Sequence, residues 1–294
     1  MGGWEGERVG RRARRDRCTA PFRGVEGGAL RSSIFATSLA YMFLNFDHLE
    51  FRYEPFPIGL AKPAMAADLY QELLDRWPPR DLFFDYRAAG KPGVKLTLSE
   101  KENREAYLGF IRSDPRWREF HQWIKSDAFI WGTLDVLRRH AVDLGYRHLS
   151  PAVRVKKRLK SLAKGQLGTG TPRLRSRFEF SALPSDGGEV IPHTDSPSKI
   201  VTIVVAMTPP GEWNPGHGGG TDINRPRRPE LMYNQQNRLA GFADMEVLHT
   251  YEFVPNQAIM FVKTFNSWHS VRPMTGQDSD RLRKTLTINI EADD

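Results

Sequence analysis

The residues best suited to chemistry are His193 and Asp195, in Ile191-Pro192-His193-Thr194-Asp195, and a histidine far downstream, His269, in Asn266-Ser267-Trp268-His269-Ser270-Val271. Side chains two apart in extended chain point the same way. A His-x-Asp pair therefore offers one imidazole and one carboxylate to a single point. Two histidines and a carboxylate on one face of a metal, with the other face open, form the donor set of non-haem Fe(II) sites. Taken alone, the pair is better explained as a surface turn, and His269 as a buried structural histidine. The neighbouring residues reverse that balance.

After His269 comes the alternating run Arg281-Leu282-Arg283-Lys284-Thr285-Leu286-Thr287-Ile288-Asn289-Ile290, which reads as a strand. Arg283 and Thr285 share a face of it, and a guanidinium fork beside a hydroxyl suits a distal carboxylate. Upstream lie Lys199-Ile200-Val201-Thr202-Ile203-Val204-Val205, Gly218-Gly219-Gly220-Thr221 and Phe253-Val254-Pro255-Asn256-Gln257-Ala258-Ile259-Met260-Phe261. Together with His193-Thr194-Asp195, His269-Ser270-Val271 and Arg283-Lys284-Thr285-Leu286, and in that order, these pieces resemble the 2-oxoglutarate/Fe(II)-dependent dioxygenase superfamily, especially its prolyl-hydroxylase-like branch. The resemblance spans roughly residues 175–291.

The resemblance implies that His193, Asp195 and His269 hold Fe(II). It implies that Arg283 and Thr285 receive the C5 carboxylate of 2-oxoglutarate, with Thr202 lining the pocket. Arg281, of the same parity, is the runner-up to Arg283. Lys199 matches a basic position of the pattern and is equally well read as solvated. Lys284 should point outward. The family's cosubstrate-contacting tyrosine has no counterpart, because Phe178-Glu179-Phe180 stands near its place. The implied activity is hydroxylation of a C–H bond using O2 and 2-oxoglutarate, giving succinate and CO2, with ascorbate as a candidate reductant. Related halogenases replace the carboxylate ligand, so Asp195 favours hydroxylation. The competing readings are a non-catalytic jelly-roll binding protein and a cupin-type metal enzyme that does not use 2-oxoglutarate.

Of the eight histidines, His48, His121, His140 and His148 lack a carboxylate at ligand spacing, and His249 lacks the following Ser-Val…Arg signature. His217, in the Gly-rich turn, is a candidate substrate contact. Gly218-Gly219-Gly220-Thr221 lacks the helix and lysine of a phosphate loop and reads as a tight turn that brings a strand beside the site. Residues 222–250, with Arg225, Arg227 and Arg228, read as a long insertion of the kind that sets specificity.

Stepping outward, the elements that must position these residues are short strands at 175–180, 200–207, 246–253, 258–264 and 282–290, separated by turn-forming residues. Such spacing indicates a sandwich or barrel. The resemblance sharpens it to a mainly β double-stranded β-helix, or jelly roll, buttressed by N-terminal helices. An opening strand is expected over Phe51 to Leu60. Met65, Leu69, Leu73 and Trp77 mark an amphipathic helix between Pro63 and Pro78-Pro79. Ser99-Glu100-Lys101-Glu102 fits a capping box for a second helix reaching about Phe110. Ser113 or Asp114 caps a third, with Trp117, Phe120, Ile124, Trp131, Leu134 and Ala141 as its stripe and Gly132 as a possible interruption. Ser150-Pro151 opens a fourth, basic helix to Lys164, followed by a loop to Pro172. The expected division is a disordered basic extension over 1–41, a helical support region over 42–172 and the catalytic jelly roll over 173–294.

Charge is unevenly placed. Seven arginines face three acids in residues 1–23, and residues 151–177 carry nine Lys/Arg and no acid. The net charge of +8 thus leaves the rest of the chain mildly acidic, which disfavours nucleic acid as a partner. A small-molecule or peptidyl substrate, with an anionic one as a candidate, fits better. The single Cys18 excludes an internal disulfide framework and suggests a reducing, cytoplasmic setting. No apolar run has the length of a membrane span. The Arg-rich start also suits a targeting segment, although its acids and missing cleavage pattern argue against one. Met42 is an alternative starting point. The oligomeric state is left open.

Overall fold

The computed structural model describes residues 43–90, 93–147, 151–163, 173–277 and 279–292. The elements run in the order β1 (Glu50–Arg52), β2 (Ile58–Ala61), α1 (Ala67–Asp75), β3 (Phe84–Asp85), β4 (Leu96–Leu98), α2 (Arg104–Ser113), α3 (Pro115–Ile124), α4 (Asp127–Arg139) and α5 (Pro151–Leu162). There follow β5 (Leu174–Pro184), β6 (Val190–His193), β7 (Lys199–Ala206), β8 (Thr221–Pro226), β9 (Met245–Tyr251), β10 (Ala258–Val262), β11 (His269–Val271) and β12 (Leu282–Ala292). The large sheet has the order β1-β2-β10-β7-β12-β5-β4-β3, and the small one β6-β11-β8-β9. The central four strands of the large sheet and the small sheet together make an eight-stranded jelly roll in which successive strands alternate between sheets except at the β8–β9 hairpin. β12 pairs antiparallel with β5 over its whole length, from Leu282 opposite Pro184 to Ala292 opposite Leu174.

Helices α1 to α4 cover the outer face of the large sheet. Phe178 and Phe180 project outward from β5 into Tyr107 of α2 and Trp117 and Phe120 of α3, and the main core lies there. α3 begins as expected, with the Asp114 carboxylate accepting from the amides of Arg116 and Trp117 and Pro115 at the first helical position. Five expectations change. The long third helix is two helices, broken at Lys125-Ser126, where Ser126 caps α4 by accepting from Phe129; Gly132 lies inside α4. The second helix starts at Arg104, because Ser99 accepts from Glu102 in a turn that precedes it rather than capping it. The opening strand is a hairpin, β1 and β2. Residues 42–172 are not only helical, since β1 to β4 extend the large sheet on both flanks. The 222–250 stretch contains most of β8 and β9, so the connection proper is 227–244. The disorder read into 1–41, the 165–172 loop and Met42 lie outside the described residues. No helix among the described residues is long and apolar enough to cross a membrane.

Candidate metal centre and carboxylate pocket

His193 ends β6 and His269 begins β11, and the two strands pair with these histidines opposite each other. Their rings lie 4.2 Å apart. Each ring is fixed through Nδ1 to a carbonyl two residues upstream, His193 to Ile191 and His269 to Ser267, both at 2.9 Å. This leaves each Nε2 directed at Asp195, at 3.6 Å from Oδ1 for His193 and 3.9 Å from Oδ2 for His269. Donor atoms of all three residues lie within 4.8 Å of one another. Two nitrogens and a carboxylate converging from two strands fit a divalent cation with an open face. Nδ1 anchoring of this kind sets tautomer and aim. Burial, reinforced by His193, pushes the His269 imidazole down to about 3, so it is neutral and its lone pair is available across the physiological range.

Asp195 is set by its surroundings. Its φ of +71° is left-handed, a region open to Asp at a cost. Thr194, fully buried, ties down the preceding residue. Its amide donates to Asn237 Oδ1, its hydroxyl donates to the Asn234 carbonyl, and its carbonyl accepts from Ser267 Oγ. Lys263 Nζ adds bonds to Thr194 Oγ1 and to the Asn234 and Thr264 carbonyls. The 227–244 connection thus packs behind the His-x-Asp. The carboxylate itself accepts from Lys199 Nζ at 2.6 Å and Thr202 Oγ1 at 2.9 Å. Burial alone would raise the Asp195 carboxyl, but Lys199 and the two histidines hold it well below the usual range.

Arg283 and Thr285 project from β12 into the barrel and line one narrow cavity with Thr221, Val204, Tyr251, Phe253 and Ile259. Arg283 donates through Nε to the Gly219 carbonyl at 2.5 Å, and its guanidinium lies 4.7 Å over the Phe253 ring. Gly219, at φ +85°, is required here, since a Cβ would come within 3.0 Å of Trp213 and Met274 and 3.3 Å of Arg283. Among the described residues no carboxylate pairs with Arg283. Burial lowers it to about 10, so it stays charged. A buried cation of this kind calls for an anion.

The expected residues divide as follows. His193, Asp195 and His269 come together, as do Arg283 and Thr285. Thr202 is buried on the same inward face but hydrogen-bonds Asp195 and Asn289. Lys199, read as equally well solvated, is bound to Asp195. Arg281 is exposed and pairs with Glu212 at 3.4 Å, and Lys284 faces the outer groove beside Trp77. His217 lies away from the metal centre, in an outer cleft with Asp222 and Arg272. Sequence reasoning missed Tyr251, Thr221 and Phe253 in the Arg283 cavity. The period-two spacing of Tyr251 and Phe253 is the signal that could have found them.

Comparison with protein-family models and with curated proteins finds no match. Solved structures do resemble the chain. A Pseudomonas putida prolyl-4-hydroxylase is 15% identical, with a TM-score of 0.41, over 80% of this chain and 91% of that one. A Trichoplax adhaerens prolyl hydroxylase, in complex with a hypoxia inducible factor peptide fragment, is 12% identical, with a TM-score of 0.42, over 91% and 94%. A 2OG-Fe(II) oxygenase family oxidoreductase from Burkholderia pseudomallei is 12% identical, with a TM-score of 0.41, over 92% and 93%.

Proposed function

We propose that the protein is a 2-oxoglutarate- and Fe(II)-dependent oxygenase of the prolyl-hydroxylase-like branch that hydroxylates a C–H bond of its substrate. The observation that carries this reading is the pairing, inside one jelly roll, of the His193–Asp195–His269 donor set with a buried Arg283 that lacks a carboxylate partner among the described residues. When bound, Fe(II) and 2-oxoglutarate supply oxygen activation coupled to oxidative decarboxylation, with O2 consumed and succinate and CO2 released. His193, Asp195 and His269 hold the metal. Arg283 fixes the far carboxylate of the cosubstrate, Thr285 and Thr221 offer hydroxyls beside it, and Tyr251 and Phe253 exclude water. Thr202 and Lys199 orient the Asp195 carboxylate. The test is Fe(II)-dependent conversion of 2-oxoglutarate to succinate by the purified protein, with and without ascorbate. Stoichiometric iron binding with no succinate formed under any condition would instead favour a metal enzyme of the cupin type.

A further inference from the structure

The outward face of the large sheet is filled unevenly. Phe178 and Phe180 of β5 pack against α2 and α3, but the next outward residue on that strand is Ala182. Its register neighbours are Leu96 on β4 and Lys284 on β12. A methyl group between a leucine and a lysine leaves a depression where the row of aromatic side chains stops. α1 ends beside it, and Trp77 follows. The indole is held edge-on to Phe180 at 5.2 Å and stacks with Phe83 at 6.5 Å between centroids. Leu74 and Leu282 also line the depression. The result is a groove of about 360 Å³, within the size range of small-molecule sites, roughly 300–1,000 Å³.

Two cations line this groove, the half-buried Lys284 and the exposed Arg80. Among the described residues no carboxylate pairs with either, because the acids of the surrounding elements are engaged elsewhere. Glu72 and Asp114 pair with Arg76, and Glu72 also with Arg116. Asp75 accepts from Gln71, Asp85 from the Ala88 amide, and Glu212 pairs with Arg281. Asp81, next to Arg80 in the chain, is not part of the lining. Apolar and aromatic walls with a few converging polar groups are the usual make-up of a small-molecule site. Here the polar groups are all positive, and an oxyanion is their natural complement. We infer that the groove binds a small organic anion with a flat ring body, its carboxylate or phosphate on Lys284 and Arg80 and its ring against Trp77. The site is independent of the oxygenase reading. Lys284 lies on the opposite face of β12 from Arg283, and no lining residue belongs to the metal centre or the Arg283 cavity.

The test titrates the full chain by calorimetry with 2-naphthoate, 2-naphthyl phosphate, 2-naphthamide and butanoate. The amide keeps the rings without the charge, and butanoate keeps the charge without the rings. At least one ring anion should bind about tenfold or more tighter than both, since a hydrogen bond to a charged group is worth that much. The preference over the amide should weaken as salt rises, and the tighter of the two ring anions identifies carboxylate or phosphate. Lys284→Gln should weaken ring-anion binding about tenfold and leave naphthamide binding unchanged, which a general loss of structure would not do. Lys284→Arg should restore most of the affinity, and Lys284→Gln/Arg80→Gln should abolish the preference. Both positions reach solvent, so these variants should keep the thermal transition of the wild type. The inference is overturned if neither ring anion binds at millimolar concentration, if naphthamide or butanoate binds as tightly as the ring anions, or if the double variant retains the preference. Succinate formation plays no part in these readouts, so failure of the oxygenase reading and failure of this site are separately visible.

Discussion

Phe178 and Phe180 turn away from the barrel, while Arg177 and Glu179, interleaved with them on β5, turn inward. The two faces of one strand thus obey different physics. Outside, Phe180 is fully buried against Trp117, Trp77 and Phe110 in edge-on contacts, held by apolar burial and ring packing rather than by hydrogen bonds or charge. Inside, His193, His269 and Asp195 are each fixed by hydrogen bonds, and shape alone could not replace them. The lesson is that stability and chemistry are separated by side-chain parity rather than by segment, so a register slip of one residue would destroy both.

That separation can be broken or sharpened experimentally. The largest expected effect is at His269→Ala, which should remove Fe(II) binding and reduce succinate formation to background while leaving the thermal transition of the metal-free protein nearly in place. Unchanged iron affinity by equilibrium dialysis would end the ligand assignment. Phe180→Ala should do the reverse, costing about 3–5 kcal/mol of stability in denaturant unfolding, with the iron stoichiometry of the folded fraction preserved. Arg283→Ala should leave Fe(II) affinity intact and raise the KM for 2-oxoglutarate strongly. Removing one partner of a buried pair costs roughly 3–5 kcal/mol, on the order of 10²–10³ or more in affinity. Arg283→Lys should recover part of it, since an ammonium lacks the two-pronged fork, and Arg281→Ala should match the wild type. If Arg281→Ala shows the defect instead, the inward register of β12 is misassigned.

Smaller effects probe the supports. Lys263→Met removes the ammonium that bridges Thr194 and Asn234 behind the ligands. Loss of such outer partners typically costs about 10–100-fold in metal affinity, and Lys263→Arg should restore part of it. The least effect is expected at the periphery. The His121 ring, together with Lys125, holds the Glu100 carboxyl down from 4.5 to about 2, against the opposing effect of burial. A depressed carboxyl stabilises the fold above its unfolded value, because the unfolded chain binds the proton first. The contribution is therefore complete above about 4.5 and is lost as pH falls toward about 2. Glu100→Gln should lower the Tm slightly at pH 7, for a stability loss of roughly 1 kcal/mol or less in so exposed a pair. Wild type and variant should converge as pH drops through that window.

How much of this was legible in the sequence follows the same division. The clustering of His193, Asp195 and His269, and of Arg283 with Thr285, was readable because histidine, carboxylate and guanidinium groups stand out in strands and their spacing is regular. The helix stripes of Leu69, Leu73, Trp117 and Phe120 were readable because burial demands periodicity. β6, β8 and β11 were not recognised as strands, since they are short and their inward positions carry site residues that spoil the apolar alternation. The pairing of Arg177 with Glu291 and of Glu179 with Lys95 was hidden for a related reason: Arg177 and Glu179 look like solvent-facing residues until β12 and β4 are laid beside them. The break at Lys125-Ser126 depended on a serine cap, a weaker local signal than the glycine that distracted from it.

The pairing of β2 with β10 has a consequence for how the chain is made. Ile58–Ala61 lies against Ala258–Phe261, about two hundred residues later in the sequence. On a ribosome adding roughly 5–20 residues per second, β2 waits on the order of 10–40 s for β10, with β1 available on one edge and the other edge unpaired meanwhile. The N-terminal hairpin therefore docks onto the large sheet only once β10 has been made, as a clasp fastened from the far end. Stalled or truncated synthesis before β10 should leave these strands exposed to chaperones and proteases.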